Sequence, residues 1–425
     1  MLDESLLDSP EALARADANG LLRGAAEAGA HVRTAVRRAT EAGLTELQPD
    51  GRPRAVLVAG PGQTTACAAD LLGALADGAT PVTLLRPSGP QADPGALRWT
   101  LPGWAGSLDL LLVATPDGGE PGLTALIEQA HRRGCTVATV SPSASPAAEL
   151  TAETHGLAVP LVTGPGTDRE PAESPVNGPG GHDLPAGHDP RGGPAAAEAN
   201  DRPDGSFRHA GRHAPSAPAG SPSDLWPLLT PLLLLCDRLG LFPAGPAALQ
   251  ALADRLDHVA ERCGPAVATY DNPAKSLATE LSGTLPLLWS EGAVAGAVAR
   301  HAATTLAAVP GVPSLAAELP EAMAGHSALL SGAFAASSDP EDFFRDRVEE
   351  PESLHARVVL LREDALQEES AVPAVRDVTY ARDVPLSELG PTDGSSPLEA
   401  AAELTATAAF TAVYLSLADR GASWS

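Results

Sequence analysis

The stretch AVLVAGPGQTTACAADLLGALADG, residues 55–78, decides the fold class. Ala55–Ala59 is a short apolar run of the kind that forms a buried strand, and the turn Gly-Pro-Gly at 60–62 ends it. In the helix that follows, apolar residues recur at i, i+3, i+4 and i+7 until Gly78. A buried strand, a glycine turn and a helix are the unit from which parallel α/β sheets are built.

The rest of the first half repeats this unit. Residues 3–46 are predicted to be helical, and three further strands are predicted: Pro81–Leu85, Leu108–Ala114 and Thr136–Val140. A helix between the last two strands has apolar residues on one face: Leu123, Leu126, Ile127 and Ala130. Strands joined by helices at this spacing predict a doubly wound parallel sheet, so we expect the α/β class.

The second half shows another α/β pattern. Its predicted elements are a buried helix near 225–240, helix 247–263, strand Leu285–Trp289, helix 292–309 and strand Arg357–Arg362. The last helix begins at a capping box, in which Ser396 and Glu399 flank a first turn that starts with Pro397. We therefore expect two doubly wound domains, each an αβα sandwich.

A segment rich in Gly, Pro, Asp, Ala and His separates the two halves at residues 164–222. It has no apolar periodicity and cannot bury enough apolar surface to offset its chain entropy, so we interpret it as a disordered linker. Its H-x-x-x-H pair, His209 and His213, is not on a predicted rigid helix and does not favour a metal site. The predicted organisation is a helical lead-in at 1–50, a first domain at 51–163, the linker, and a second domain at 223–425.

The balance of charges restricts the partners. Among 425 residues, 54 acidic side chains outnumber 28 basic ones, which gives a formal net charge of −26. A protein that binds nucleic-acid phosphates needs a dense positive face, so we exclude a general nucleic-acid binder. Four cysteines without a C-x-x-C pair are typical of small core residues in a reducing compartment, so we expect no metal and no other cofactor.

No targeting or membrane segment is predicted. The N-terminus reads MLDESLLDSPEAL, with acids where a signal peptide has basic residues. The most apolar segment, LWPLLTPLLLLC at 225–236, contains two prolines and is too short to span a bilayer. We expect a cytoplasmic protein that does not bind membranes.

The first glycine turn lies where open parallel sheets bind ligands, at the carboxyl end of a strand. Gly60, Gly62, Gln63, Thr64 and Thr65 together offer backbone N–H groups, hydroxyls and a positive helix end to a phosphate group. The alternative is a tight strand–helix turn that uses glycine for structural reasons alone.

A second turn, TPDGGE at 115–120, offers Thr115 and Gly118 to a phosphate group in the same way. Its two acids oppose a phosphate, so a capped structural turn is the better interpretation. Both residues nevertheless stay in the predicted substrate-binding set.

Three positions of the second half attract attention. Glu321 and His326 are a candidate acid/base pair, with an exposed charged turn as the alternative. Lys275 is the only lysine of the chain and lies at a helix start, so we include it as substrate-binding, with plain solvent exposure as the alternative. His301 lies on the apolar side of its helix and is predicted to be a satisfied core histidine.

Five phrases in combination carry a family resemblance: LWPLLTPLLLLCDRLGL (225–241), NPAKSLATELSGTLPLLW (272–289), ELPEAMAGH (318–326), ARVVLLR (356–362) and FTAVYLSLADRG (410–421). They resemble the sugar isomerase (SIS) fold, and more closely its bifunctional phosphoglucose/phosphomannose isomerase branch. The resemblance covers residues 50–165 and 223–421. It implies a homodimer with active sites between the SIS halves, and interconversion of glucose 6-phosphate or mannose 6-phosphate with fructose 6-phosphate.

The catalytic motifs of that branch are only partly matched. Its phosphate loop resembles S-x-S-G-x-T-x-E-T, whose glycine corresponds to Gly118, but Pro, Asp and Glu replace the flanking hydroxyls. Aligned on the L-P-E phrase, the family's base falls at Ala308 and its ring-opening histidine at Ala324, two residues before His326. Losing one positioned acid or base costs about 10²–10⁴ in rate, so the resemblance carries the fold further than the catalysis.

Three functional hypotheses follow. The first is an aldose–ketose isomerase that uses Glu321 and His326 as relocated acid/base groups. The second is a non-catalytic SIS protein that binds a phosphorylated sugar and acts as a sensor or regulatory partner in mannose metabolism. The third is a structural dimer that has lost its ligand. The residues favour the second hypothesis, whereas family resemblance alone favours the first.

Overall fold

The computed structural model of the protein describes residues 3–49, 51–89, 94–161, 224–331, 334, 354–364 and 370–418. The predicted linker at 164–222 lies outside the described residues. The described part contains two parallel sheets with helices packed on them, so the predicted α/β class with two doubly wound domains is confirmed.

The lead-in is helical, as predicted, and precedes a five-stranded first domain. Its helices are α1 (Glu4–Leu7), α2 (Pro10–Ala16), α3 (Leu21–Ala26) and α4 (Ala28–Glu41). The first domain then runs β1 (Val56–Ala59), α5 (Gly62–Leu75), β2 (Val82–Leu85), β3 (Leu110–Ala114), α6 (Pro121–Arg132), β4 (Thr136–Ser141), α7 (Pro146–Glu153) and β5 (Leu157–Pro160). All strands are parallel in the order β2-β1-β3-β4-β5. The strand β5 was not predicted.

The second domain contains a four-stranded sheet in the order β7-β6-β8-β9, again all parallel. Its elements are α8 (Leu225–Arg238), α9 (Pro246–Arg262), α10 (Pro273–Leu281), β6 (Thr284–Glu291), α11 (Ala293–Ala308), β7 (Leu315–Glu318), α12 (Glu321–Gly325), β8 (His355–Arg362), α13 (Val372–Ala381), β9 (Leu386–Leu389) and α14 (Pro397–Ala418). The short strands β7 and β9 were not predicted.

One large apolar core joins the lead-in and both domains. It takes side chains from the inner faces of both sheets and from the helices between them, where α5 packs on α11 and α4 on α8 and α9. Arg300 of α11 links the domains by bonding Asp70 of α5 at 2.8 Å and Glu318 at the end of β7. A smaller apolar cluster covers the outer face of each sheet.

The last helix, α14, is the central element of that core. It is long and apolar enough to cross a membrane by length and composition, but 78% of its apolar window is buried inside the protein. The predicted capping box begins it: the Ser396 N–H donates to Glu399 at 2.9 Å, and the Glu399 N–H donates to the Ser396 hydroxyl at 3.3 Å. Burial against several helices explains why most of the α14 surface is apolar.

The structure supports neither prediction made for Lys275, substrate binding or solvent exposure. Its side chain is fully buried, and Nζ donates to the carbonyl oxygens of Leu7 at 2.6 Å, Pro265 at 2.9 Å and Val267 at 2.7 Å. An ammonium group has three protons, so these bonds use its whole donor capacity and leave none for a substrate. Lys275 is a structural residue that fastens α1 to the second domain, and burial lowers its pKa.

Candidate functional site: two strand-order switch points

The topology places a candidate site in each domain. In open α/β sheets, ligands bind beyond the carboxyl ends of the strands, at the point where the strand order reverses. That point lies between β1 and β3 in the first domain and between β6 and β8 in the second. We call these two places the first and the second switch point.

At the first switch point, the turn after β1 passes directly against the end of β3. A Cβ atom on Gly60 would lie 1.9 Å from the Ala114 carbonyl oxygen, so only glycine allows this approach. The buried Thr65 hydroxyl lies 3.0 Å from the Ala114 oxygen and 3.1 Å from that of Pro61, and it bonds both. Gly60 and Thr65, two of the predicted phosphate ligands, therefore hold the turn in place.

The start of α5, in contrast, is open. Gly62 has φ +79° and begins the helix, while Gln63 is exposed and Thr64 is half-buried. The residue before the helix, Pro61, has no side chain that can cap it, and no side chain among the described residues accepts a bond from its first turn. The helix dipole is positive here, so Gly62, Gln63 and Thr64 form an end that can hold one anion.

The turn after β3 is filled by a carboxylate of the chain itself. Glu120 is only 4% exposed, and the Thr115 hydroxyl lies 2.9 and 3.1 Å from its two oxygens. The same hydroxyl accepts the Gly118 N–H at 3.0 Å. Burial raises the pKa of Glu120.

These contacts correct the prediction for the second turn. Thr115 and Gly118 are bonded to each other and to Glu120, so neither is available to a phosphate group as the structure stands. A carboxylate and a phosphate compete for the same hydrogen-bond donors and repel each other.

At the second switch point, two glutamates at neighbouring strand ends each bond the start of the helix that follows the other strand. Glu363, just after β8, accepts the N–H groups of Val294 at 2.6 Å and Ala295 at 3.0 Å, in the first turn of α11. Glu291, the last residue of β6, accepts the N–H of Ala371 at 2.6 Å, immediately before α13. Each strand-end carboxylate thus caps the helix that follows the other strand, and burial raises the pKa of Glu363.

The candidate acid/base pair is not assembled. The indole N–H of Trp289 donates to Nδ1 of His326 at 2.9 Å, so the neutral imidazole carries its proton on Nε2. Burial lowers the pKa of His326. Glu321 is exposed, and no hydrogen bond or ion pair among the described residues joins it to His326. The hydrogen bond from Trp289 was not foreseen.

Two cavities in the described part of the chain, one between helices and one between helices and the second sheet, measure about 20 Å³ each. This is room for about one water molecule and far below the volume of a sugar phosphate. His301 borders one of them, and burial lowers its pKa to about 4. His301 is half-buried, and its Nδ1 has no hydrogen-bond partner among the described residues.

No metal centre emerges from the residues that the structure describes, which contain no group of three histidine, cysteine or acidic side chains able to share an ion. All four cysteines are free and buried. Burial raises the pKa of the thiols of Cys67, Cys135, Cys236 and Cys263, and the thiol form is a poor nucleophile and a poor metal ligand.

Residues 270–420 match the bacterial phospho-glucose isomerase C-terminal SIS domain. No curated protein matches the sequence.

Solved structures share the fold across nearly the whole chain. A phosphosugar isomerase candidate from Silicibacter pomeroyi aligns with a TM-score of 0.52 at 15% identity, over 92% of this chain and 95% of its own. A phosphosugar isomerase candidate from Clostridium difficile gives 0.53 at 11% identity, over 93% and 92%. The tagatose-6-phosphate ketose/aldose isomerase from Escherichia coli gives 0.50 at 11% identity, over 94% and 91%. At these identities the likeness establishes the fold alone.

Proposed function

We propose that this chain, whose residues 270–420 match an SIS domain, binds a phosphorylated hexose and has little or no isomerase activity. The ligand class is glucose, mannose or fructose 6-phosphate. In this proposal the protein acts as a sensor or as a regulatory partner of an enzyme in mannose metabolism.

The start of α5 is the anion-binding end of the proposed site. Gly62, Gln63 and Thr64 present backbone N–H groups, an amide and a hydroxyl at the positive end of a 14-residue helix. The other helix starts at the switch points carry carboxylates of the chain itself: Glu120 beside α6, Glu363 on α11 and Glu291 before α13. One open end among four favours one phosphate group per chain.

The observation that carries the loss of catalysis is the state of the carboxylates. Aldose–ketose isomerisation needs a carboxylate that moves a proton between C1 and C2, and a group that opens the ring. At the switch points Glu120, Glu291 and Glu363 are each bonded to backbone or hydroxyl donors, and Glu321 makes no hydrogen bond with His326 among the described residues. None of them is placed as a free base beside an imidazole.

Two measurements on the purified protein test this proposal. Incubation with fructose 6-phosphate, followed by NMR, should show no glucose 6-phosphate or mannose 6-phosphate above the uncatalysed background. A ligand at about 100 times its Kd should raise the free energy of unfolding by about 2.7 kcal/mol, which appears as a higher melting temperature. Rapid turnover, or no melting shift with any hexose 6-phosphate, would each contradict one half of the proposal.

A charge placed at the start of α5 locates the site. Thr64→Glu puts a carboxylate at the open helix end and should abolish the melting shift with hexose 6-phosphates. Thr124→Glu makes the same substitution in the first turn of α6, where Glu120 already stands, and should leave the shift intact. Equal loss in both variants would place the phosphate elsewhere.

A second candidate function is an active isomerase that uses His326. The observation in its favour is the Trp289 bond, which fixes the tautomer of a half-buried imidazole as a general acid requires. In that case turnover of fructose 6-phosphate would be present, and His326→Gln or Glu321→Gln would remove it while melting behaviour stayed the same.

The resemblance and composition also favour a cytoplasmic homodimer. Four buried free thiols suit a reducing compartment. Sedimentation of the purified chain at several concentrations tests the dimer, and a concentration-independent monomer would contradict it. A dimer that melts identically with and without every sugar phosphate would support the purely structural hypothesis.

A further inference from the structure

The second switch point has a built-in anion. The Glu363 carboxylate lies on the first turn of α11 and accepts two consecutive N–H groups, those of Val294 and Ala295. These are the donors that a phosphate group would use at a helix start. α11 is 16 residues long, so its dipole is fully developed at this end.

The backbone is shaped to receive this carboxylate. Gly292, directly before α11, has φ +101°, a conformation that side chains other than glycine's rarely adopt. A Cβ atom there would lie 2.1 Å from Cδ of Glu363. The Glu363 side chain therefore occupies the space that any other residue at position 292 would fill.

The neighbouring acid strengthens this arrangement. Glu291 accepts the Ala371 N–H at 2.6 Å and the Ser370 hydroxyl at 2.8 Å. The β6–β8 pairing places Glu291 opposite Arg362, so the acids leave adjacent strands at the same level. Glu291 at the end of β6 and Glu363 directly after β8 therefore stand on neighbouring strands beside this crevice.

We propose that Glu363 is a specificity-determining residue, a built-in anion that keeps phosphate groups out of the second switch point. This inference deepens the proposed function and rests on it, because it explains why one chain would bind its sugar phosphate only at the start of α5. The carboxylate is covalently attached and so is always present at the helix start. A free phosphate would have to displace it against the repulsion of Glu291.

Replacing Glu363 tests the exclusion directly. Glu363→Ser is too short to reach the Val294 and Ala295 N–H groups and should leave them free. Binding of inorganic phosphate and of fructose 6-phosphate is measured by calorimetry, and the amide signals of Val294 and Ala295 are followed by NMR. We expect the variant to bind phosphate about tenfold more tightly at the start of α11, or to have two binding sites where the original protein has a single site.

Asp377→Ser is the matched control. Asp377 is an exposed acid on α13 of the same domain, so its loss removes the same charge without opening a helix start. Phosphate binding should not change. A folded Glu363→Ser protein that binds phosphate no more tightly than the original, or an equal gain in Asp377→Ser, would overturn the inference.

A milder variant covers the case in which Glu363→Ser does not fold. Glu363→Gln keeps the length but holds α11 with a neutral amide, so phosphate should displace it and a gain in the same direction is expected. No gain in a folded Glu363→Gln protein overturns the inference as well. The original protein is the separate test of function: if it binds no hexose 6-phosphate, the proposed function fails, whatever the variants show.

Discussion

The two switch points have the same topology and are closed by different means. In the first, main chain meets main chain, because Gly60 lies against the Ala114 carbonyl and leaves the start of α5 open. In the second, side chains close the crevice, because Glu363 and Glu291 each cap the helix that follows the neighbouring strand. A contact between backbones is rigid, whereas a glutamate can swing away. The difference predicts which switch point tolerates change.

The largest effect is expected for Gly60→Ala. The added methyl would meet a backbone oxygen that has no freedom to move, so the first switch point must distort. Overpacking of this kind costs typically about 1–3 kcal/mol and occasionally more, and we expect the upper end. Chemical denaturation of the variant against the original protein measures this change. A loss below about 1 kcal/mol would show that the first switch point is not rigidly closed.

Gly292→Ala should cost less, about 1–2 kcal/mol, because its clash is with the flexible end of Glu363 and the remainder is backbone strain at φ +101°. The double variant with Glu363→Ala removes the clash. Its loss of unfolding free energy should therefore be smaller than the sum of the two single losses. Simple additivity would mean that the two residues do not interact, and the side-chain closure would be refuted.

The buried carboxylates give the stability a pH dependence. Burial raises the pKa of Glu120 and Glu363 above the ordinary 4.5, so the folded chain holds protons that the unfolded chain has released. The free energy of unfolding should therefore fall as pH rises from 4.5 through the raised values, by at most about 1.4 kcal/mol per pH unit for each group.

Removing one carboxylate at a time assigns this slope to a switch point. Glu120→Gln and Glu363→Gln should each flatten the stability profile above pH 4.5, measured by denaturation at a series of pH values. An unchanged slope in both variants would show that neither buried acid titrates in this window.

The smallest effect is expected for Trp289→Phe. The indole N–H bonds the unprotonated Nδ1 and so favours the neutral imidazole. Without that donor the pKa of His326 should rise towards its ordinary value, which the imidazole NMR signals report directly. Trp226→Phe changes a buried tryptophan that is outside this contact and is the control. A pKa that stays constant in Trp289→Phe would leave burial as the sole cause of the depression.

Much of the fold could be read from the sequence because its central strands are continuous apolar runs. β3 lies inside its sheet and is apolar throughout, and β8 contains the buried apolar run Val358–Leu361, so neither pattern needs alternation to be recognised. The missed strands β5, β7 and β9 are four-residue edge strands, such as Leu315–Glu318, in which periodicity has no room to develop.

The positions of the site residues could be predicted from the sequence, but the roles of several of them could not. Gly60 and Thr115 were placed in turns at the correct sheet edge, but Gly60 packs against the Ala114 backbone and the Thr115 hydroxyl bonds Glu120. Glu291 and Glu363 carry no local signal, because they are 72 residues apart in the chain and only the pairing of β6 with β8 brings them together. An acid at a strand end is the one clue, and it becomes informative only when the strand order is known.

The fastening of α1 has a consequence for how the chain is made. Lys275 grips the Leu7 carbonyl, and the Asp3 N–H donates to the Ala418 carbonyl at 2.8 Å. A ribosome delivers residues 3–7 early and residue 418 hundreds of peptide bonds later. The start of α1 therefore cannot dock on Ala418 until α14 has been synthesised.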